Sequence, residues 1–157
     1  MKIFPAIDIK DKKCVRLIKG DFNNKTEYET SPIEQAAKYK DRGFKNLHIV
    51  DLDGALTGET VNLDIIQEIV SKFDLKIEIG GGVRTFESIQ KYIDASVEKV
   101  ILGSAAIKDK NFLKEACLKF PNKIALGLDA KDGYLSVSGW KENSNKLTLD
   151  FLKEVND

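Results

Sequence analysis

Five short apolar runs, at residues 3–7, 47–50, 77–79, 100–102 and 124–128, alternate with amphipathic helical patterns. Each run is followed by Gly or Asp, as expected of strands buried on both faces of a parallel sheet. Helical patterns fill the gaps. Ser31-Pro32 reads as a cap with Pro at the first helical position, and the helix continues towards Gly43. Asn62 opens a second, with Ile65, Ile66, Ile69 and Val70 as its buried stripe. Thr85 opens a third, with Ile89, Tyr92 and Ile93 inward. Asp109 caps a fourth that stops before Pro121, and a fifth starts near Thr148. The order is βαβαβαβαβα, in units of roughly 30 residues. Residues 13–18 and 134–138 read as hairpin arms after strands one and five.

This alternation fits either a doubly wound sheet or a (β/α)8 barrel. A repeat decides between them. Asp8-Ile9-Lys10-Asp11 matches Asp129-Ala130-Lys131-Asp132, 121 residues further on, and a hairpin arm follows each. Strand five thus echoes strand one, the pattern of two fused half-barrels. Doubling the offset gives ~242 residues, near the ~250 of a typical barrel. The expectation is an α/β chain of the (β/α)8 barrel class holding about the first five βα units. Residues 1–157 form one incomplete barrel domain, 1–121 the first half and 122–157 the start of the second. Strands one and five are expected to be unpaired edges, and the last segment, 147–155, to be poorly anchored. A chain so divided should self-associate.

Bulk properties exclude some functions. The 25 basic and 25 acidic residues cancel, so no nucleic-acid partner is expected. No apolar run approaches the ~20 residues of a membrane helix, and residues 1–7 lack a signal-peptide core. Cys14 and Cys117 make neither a disulfide framework nor a zinc site, and Cys117 reads as a core thiol. A cytoplasmic protein is expected.

Barrel active sites lie at the C-terminal strand ends. Asp8 and Asp129, both read as ending strands, are candidate acid–base residues. Asp11 and Asp132 are assigned to the hairpin turns. In "IEIGGGVRT", Gly81 and Gly82 precede a helix and let backbone N–H groups approach a phosphate. "ILGSAA" repeats the idea through Gly103 and Ser104. Arg84 either reinforces the anion site or is a solvated arginine. His48 is the only histidine, either a packed strand residue or a minor substrate contact. Asp51 stands at the end of its strand as a further substrate contact. Asp53-Gly54 reads as a turn. Arg16 reaches the barrel mouth or solvent, and residues 10–13 form a solvated face. Trp140, the only tryptophan, either stacks on a planar ring or latches its loop.

Taken together, "FPAIDIKDKKCVRLIKGDF", "LHIVDLDGA", "IEIGGGVRT", "VILGSAA" and "LGLDAKDGYLSVSGW" resemble, in order and spacing, the phosphoribosylformimino-aminoimidazole-carboxamide ribotide isomerases of histidine biosynthesis. The resemblance runs along essentially the whole chain. It implies a (β/α)8 barrel that performs a cofactor-free aldose-to-ketose (Amadori) rearrangement of a ribotide with a phosphate at each end. It implies Asp8 as the general base and Asp129 as the general acid. Gly81, Gly82, Arg84, Gly103 and Ser104 match the surroundings of one phosphate, and Trp140 a loop aromatic that closes on the substrate's base. The full-length form is expected to be a monomer with no metal. The sister cyclase subunit of imidazole glycerol phosphate synthase is the alternative, and "DLDGA" and "SGW" favour the isomerase. A non-catalytic, self-associating half-barrel and a phosphate-binding barrel of another pathway are the other readings.

Overall fold

The computed structural model describes residues 1–18, 20–137 and 142–156. The chain divides into two compact units, Met1–Ile101 and Leu102–Asp157.

The first unit opens with an antiparallel meander, β1 (Ala6–Lys10), β2 (Lys13–Ile18) and β3 (Asp21–Glu27). It continues through α1 (Pro32–Asp41), β4 (Asn46–Asp51), α2 (Leu52–Thr57), α3 (Leu63–Lys72), β5 (Lys76–Gly80), α4 (Phe86–Asp94) and β6 (Lys99–Leu102). The sheet order is β3-β2-β1-β4-β5-β6, parallel from β1 onward to β6. Helices α1 and α4 start where the sequence caps them. Ser31 and Glu34 form a capping box on α1, and the Thr85 hydroxyl accepts the Ser88 amide at the head of α4.

Register shows which winding the sheet follows. Ile7, Ile49, Ile79 and Val100 lie in one row across four strands, and all are buried. They share that side with Ala36 of α1, Ile66 and Ile69 of α3, and Ile89 and Tyr92 of α4, each with no exposed surface. The adjacent row, Ala6, His48, Glu78 and Lys99, is at most half-buried. A doubly wound sheet buries both faces under helices; here the helices cover one face. That is the winding of a barrel wall, and the fold is part of a (β/α)8 barrel.

The first strand lies further along than its apolar run suggests. Residues 3–7 were the expected strand, yet Ile3 is exposed and β1 begins after Pro5, which has no N–H for the ladder. Asp8 is therefore a mid-strand residue. Nor is β1 an edge: it pairs with β2 and β4, and the outer strand is β3. The sequence of β3, DFNNKTE, carries no apolar alternation because backbone pairing and the Lys13–Glu27 ion pair, not apolar packing, hold it against β2. Asp53-Gly54, expected as a turn, lies inside the short α2.

The second unit runs α5 (Ser104–Lys108), α6 (Lys110–Lys119), β7 (Ile124–Leu126), β8 (Asp129–Lys131), β9 (Tyr134–Val137), β10 (Glu142–Leu147) and α7 (Thr148–Asn156). Asp109 caps α6 through the amides of Asn111 and Phe112. Strands β8, β9 and β10 form a separate antiparallel sheet. Cys117 is exposed on α6, one position past buried Ala116 and so turned about 100° from it. The buried thiol is Cys14, pushed up to about 11 by desolvation.

Each unit has a matching hairpin turn. Asp11 and Lys12 have φ of 51° and 61°, and Asp132 and Gly133 have 53° and 84°. Positive φ at both central residues is the signature of a type I′ turn, whose twist suits a two-residue hairpin. The repeated Asp-x-Lys-Asp thus folds the same way twice.

The last helix is well held, against the expectation of a loose end. Phe151 is fully buried, the Thr148 amide donates to the Gly133 carbonyl at 3.0 Å, and Glu154 pairs with both Lys110 and Lys146. Phe151→Ala is expected to remove about 3–5 kcal/mol. A thermal melt should then fall by about 10 °C, and a melt within about 2 °C of wild type would show that α7 contributes no core.

Candidate active site

Asp8 sits on the helix-free face of β1, opposite Val15 of β2 and Val50 of β4. Its side chain is 16% exposed, and Arg16 Nη1 lies 3.8 Å from Oδ2. Desolvation raises the Asp8 carboxyl above its ordinary range, against the smaller downward pulls of Arg16 and His48. A carboxylate so raised is a stronger base. His48 lies on the same face of β4, with Nδ1 2.8 Å from Glu78 Oε1 on β5. Asp8, Arg16 and His48 are thus brought together. Glu78 joins them, although no sequence motif marked it. Its only signal is the polar residue in "IEIG", where the alternation of β5 puts a side chain on the face of His48.

A second cluster lies behind that face. Asp51, at its strand end, has no exposed surface. Its Oδ1 accepts the Gly54 amide at 2.9 Å and Asn62 Nδ2 at 2.7 Å, while Oδ2 accepts the Asn62 amide at 3.1 Å and the Tyr92 hydroxyl at 3.5 Å. Burial beside this carboxylate pushes the Tyr92 phenol up. Asp53 accepts Asn62 Nδ2 at 2.9 Å and the Asp11 amide at 2.8 Å, and so fastens the β1–β2 turn to α2. Lys10 also reaches Asp53, and its side chain is 16% exposed rather than part of a solvated face. Asn62 stands at the head of α3 without capping it, because its amide is committed to the two aspartates.

The glycine loop packs onto this cluster. A Cβ on Gly81 would lie 2.1 Å from the Asp51 carbonyl oxygen, and one on Gly82 would lie 1.7 Å from that of Gly54. Both have positive φ, 113° and 72°. Backbone approach therefore demands glycine here whether or not an anion binds above. Arg84 is exposed, and its Nη2 donates to the Ala55 carbonyl of α2 at 2.8 Å. The motifs DLDGA and GGGVR, offset by 29 residues, thus interlock as one piece.

In the second unit, Gly103 precedes α5 and its carbonyl accepts the Ala106 and Ile107 amides at 3.0 and 3.2 Å. Ser104 is the first residue of α5. Asp129 opens β8 instead of ending β7, and Ala130 and Lys131 follow it into the hairpin. Asp129 is exposed, more open than Asp8, and desolvation by its surroundings raises its carboxyl. Trp140 lies outside the described residues.

The family model described as Histidine biosynthesis protein matches residues 2–157. A Pelagibacter ubique protein named 1-(5-phosphoribosyl)-5-((5-phosphoribosylamino)methylideneamino) imidazole-4-carboxamide isomerase is 89% identical over 157 residues, all of this chain and 66% of that protein. Isomerases of the same name from Oceanobacillus iheyensis and Lactococcus lactis are each 46% identical over 99% of this chain, which covers 65% and 66% of their lengths. The chain therefore spans about two thirds of the length of the curated relatives it matches.

Proposed function

The chain belongs to the histidine biosynthesis protein family, and from that premise we propose that the whole protein isomerises the phosphoribosylamino aldose carried by an imidazole carboxamide ribotide to its ketose. The reaction needs no net redox change. An acid protonates the ring oxygen as the C1–O bond breaks, and the nitrogen lone pair forms C1=N. A base then takes the C2 proton, and those electrons give the enaminol. Loss of the O2 proton and protonation of C1 leave the ketone at C2. Asp8 serves as the base and Asp129 as the acid. Their equivalent places in the repeated motif, and the rise of both carboxyls by desolvation, support this division. Residues 1–121 and 122–157 then belong to duplicated halves, a reading supported by the twin type I′ turns.

Backbone amides at Gly81, Gly82, Gly103 and Ser104 receive one phosphate. Arg84 contributes by holding the glycine loop from α2. Arg16 flanks the base, His48 contacts the sugar, and Trp140 closes over the imidazole. The protein works as a monomer in the cytoplasm. No helix among the described residues is long and apolar enough to cross a membrane.

The observation that carries this reading is the raised carboxylate of Asp8 on the open face of a barrel wall, in a chain 89% identical to a named isomerase. Incubating the complete gene product with the aldose ribotide should produce a ketone carbon resonance at C2. Unchanged aldose, under conditions where a known isomerase converts it, would overturn the assignment.

A further inference from the structure

We infer that Glu78 is a positioning residue of the same site: it holds the imidazole of His48 by Nδ1, so that Nε2 is presented on the open face as a hydrogen-bond acceptor for a sugar hydroxyl. This rests on the isomerase reading above. Four observations support it. Glu78 and His48 are register partners on β5 and β4, and their contact is 2.8 Å. A carboxylate only accepts, so Nδ1 carries the proton, and whenever the ring is neutral its lone pair falls on Nε2. On the other side, the register partner of His48 is Ala6, whose exposed methyl leaves the flank towards β1 open. Asp8 is one diagonal step away on that flank. Both side chains of the pair keep about a quarter of their surface, 29% and 25%, so a ligand can reach them. The alternate row of the same strands, Leu47, Ile49, Ile77 and Ile79, is buried.

The test compares turnover of the aldose ribotide by the complete gene product with its Asp8→Asn, His48→Asn, Glu78→Leu and Glu78→Gln variants and the His48→Asn/Glu78→Leu double variant. Glu78→Leu should lower kcat/KM by about ten- to a hundredfold, the scale of a misplaced contact. Glu78→Gln, which keeps a carbonyl acceptor, should stay within about threefold of wild type. In the His48→Asn background, Glu78→Leu should cost nothing further. Nitrogen-15 shifts of the His48 ring should report the Nδ1–H tautomer in the wild type and its loss in Glu78→Leu. The inference is overturned by an Nε2–H ring in the wild type, by losses that multiply in the double variant, or by a Glu78→Leu loss that merely follows a lower melting temperature. The isomerase reading fails separately, if wild type shows no turnover or Asp8→Asn keeps it; the ring shifts still decide the hold of Glu78 on His48.

Discussion

Asp8→Asn should reduce kcat by about 10²- to 10⁴-fold, the contribution of a positioned general base, and should not lower the melting temperature. The two halves of this result have one cause. Asp8 is nearly buried on the open face, and desolvation lifts its carboxyl above the ordinary 3.8. A carboxyl whose native value is raised favours folding while protonated. That stability is lost as pH climbs through the native value, where the charged form must be held with little water. Replacing it with a neutral amide removes the cost at neutral pH. The melting temperature of Asp8→Asn relative to wild type should therefore rise from acid to neutral pH. On the same grounds, the acid limb of the wild-type kcat/KM profile should fall above the ordinary carboxylate range. Stopped-assay kinetics and thermal melts across pH check both halves. Turnover within tenfold of wild type would remove Asp8 from the mechanism.

Asp51→Ala should show the opposite balance. The carboxylate takes four donors from α2, α3 and α4, all out of water. Hydrogen bonds to a charged group contribute about 1.5–3 kcal/mol each, and orphaned buried donors cost about 1–3 kcal/mol. These terms are not additive, so the expected loss is about 3–5 kcal/mol, or a fall of about 10 °C in melting temperature. The cluster also seats the glycine loop, since Gly81 lies against the Asp51 backbone. Activity should therefore fall when assayed warm and recover largely when assayed well below the new melt. Asp51→Asn keeps one acceptor but sets its NH2 against a donor, and should fall between wild type and Ala. A melt of Asp51→Ala equal to wild type would show that the network is not what holds α2 to α3.

Much of this architecture was legible because packing writes itself into alternation. The arm at residues 13–18 emerged with the bounds of β2, and Thr85 and Asp109 cap the helices they were expected to cap. The elements that escaped are those held by backbone pairing or polar side chains. Strand β3 has no apolar period, and α2 is a single turn and a half closed by Asp51 and by Gly58 at φ 83°. The motif repeat was legible as structure, in the matching hairpin turns that follow Asp8 and Asp129. The candidate site was less legible where one residue type serves two ends. Two aspartates read alike as strand-end residues, but Asp8 lies mid-strand on the open face while Asp51 ends β4 on the buried face. Glu78 was missed because its meaning depends on what β4 places beside it.

The two rows of the barrel wall make different demands on inheritance. In β1, Ile7 and Ile9 pack under helices while Asp8 faces the open side, so chemistry and core alternate letter by letter. A substitution touches one of these vocabularies and spares the other. A one-residue insertion or deletion within the strand exchanges them, carrying isoleucine to the open face and the carboxylate into the core. Such strands are therefore free to drift by replacement on either side yet closed to change in length, and variation in chain length must collect in the connections between them.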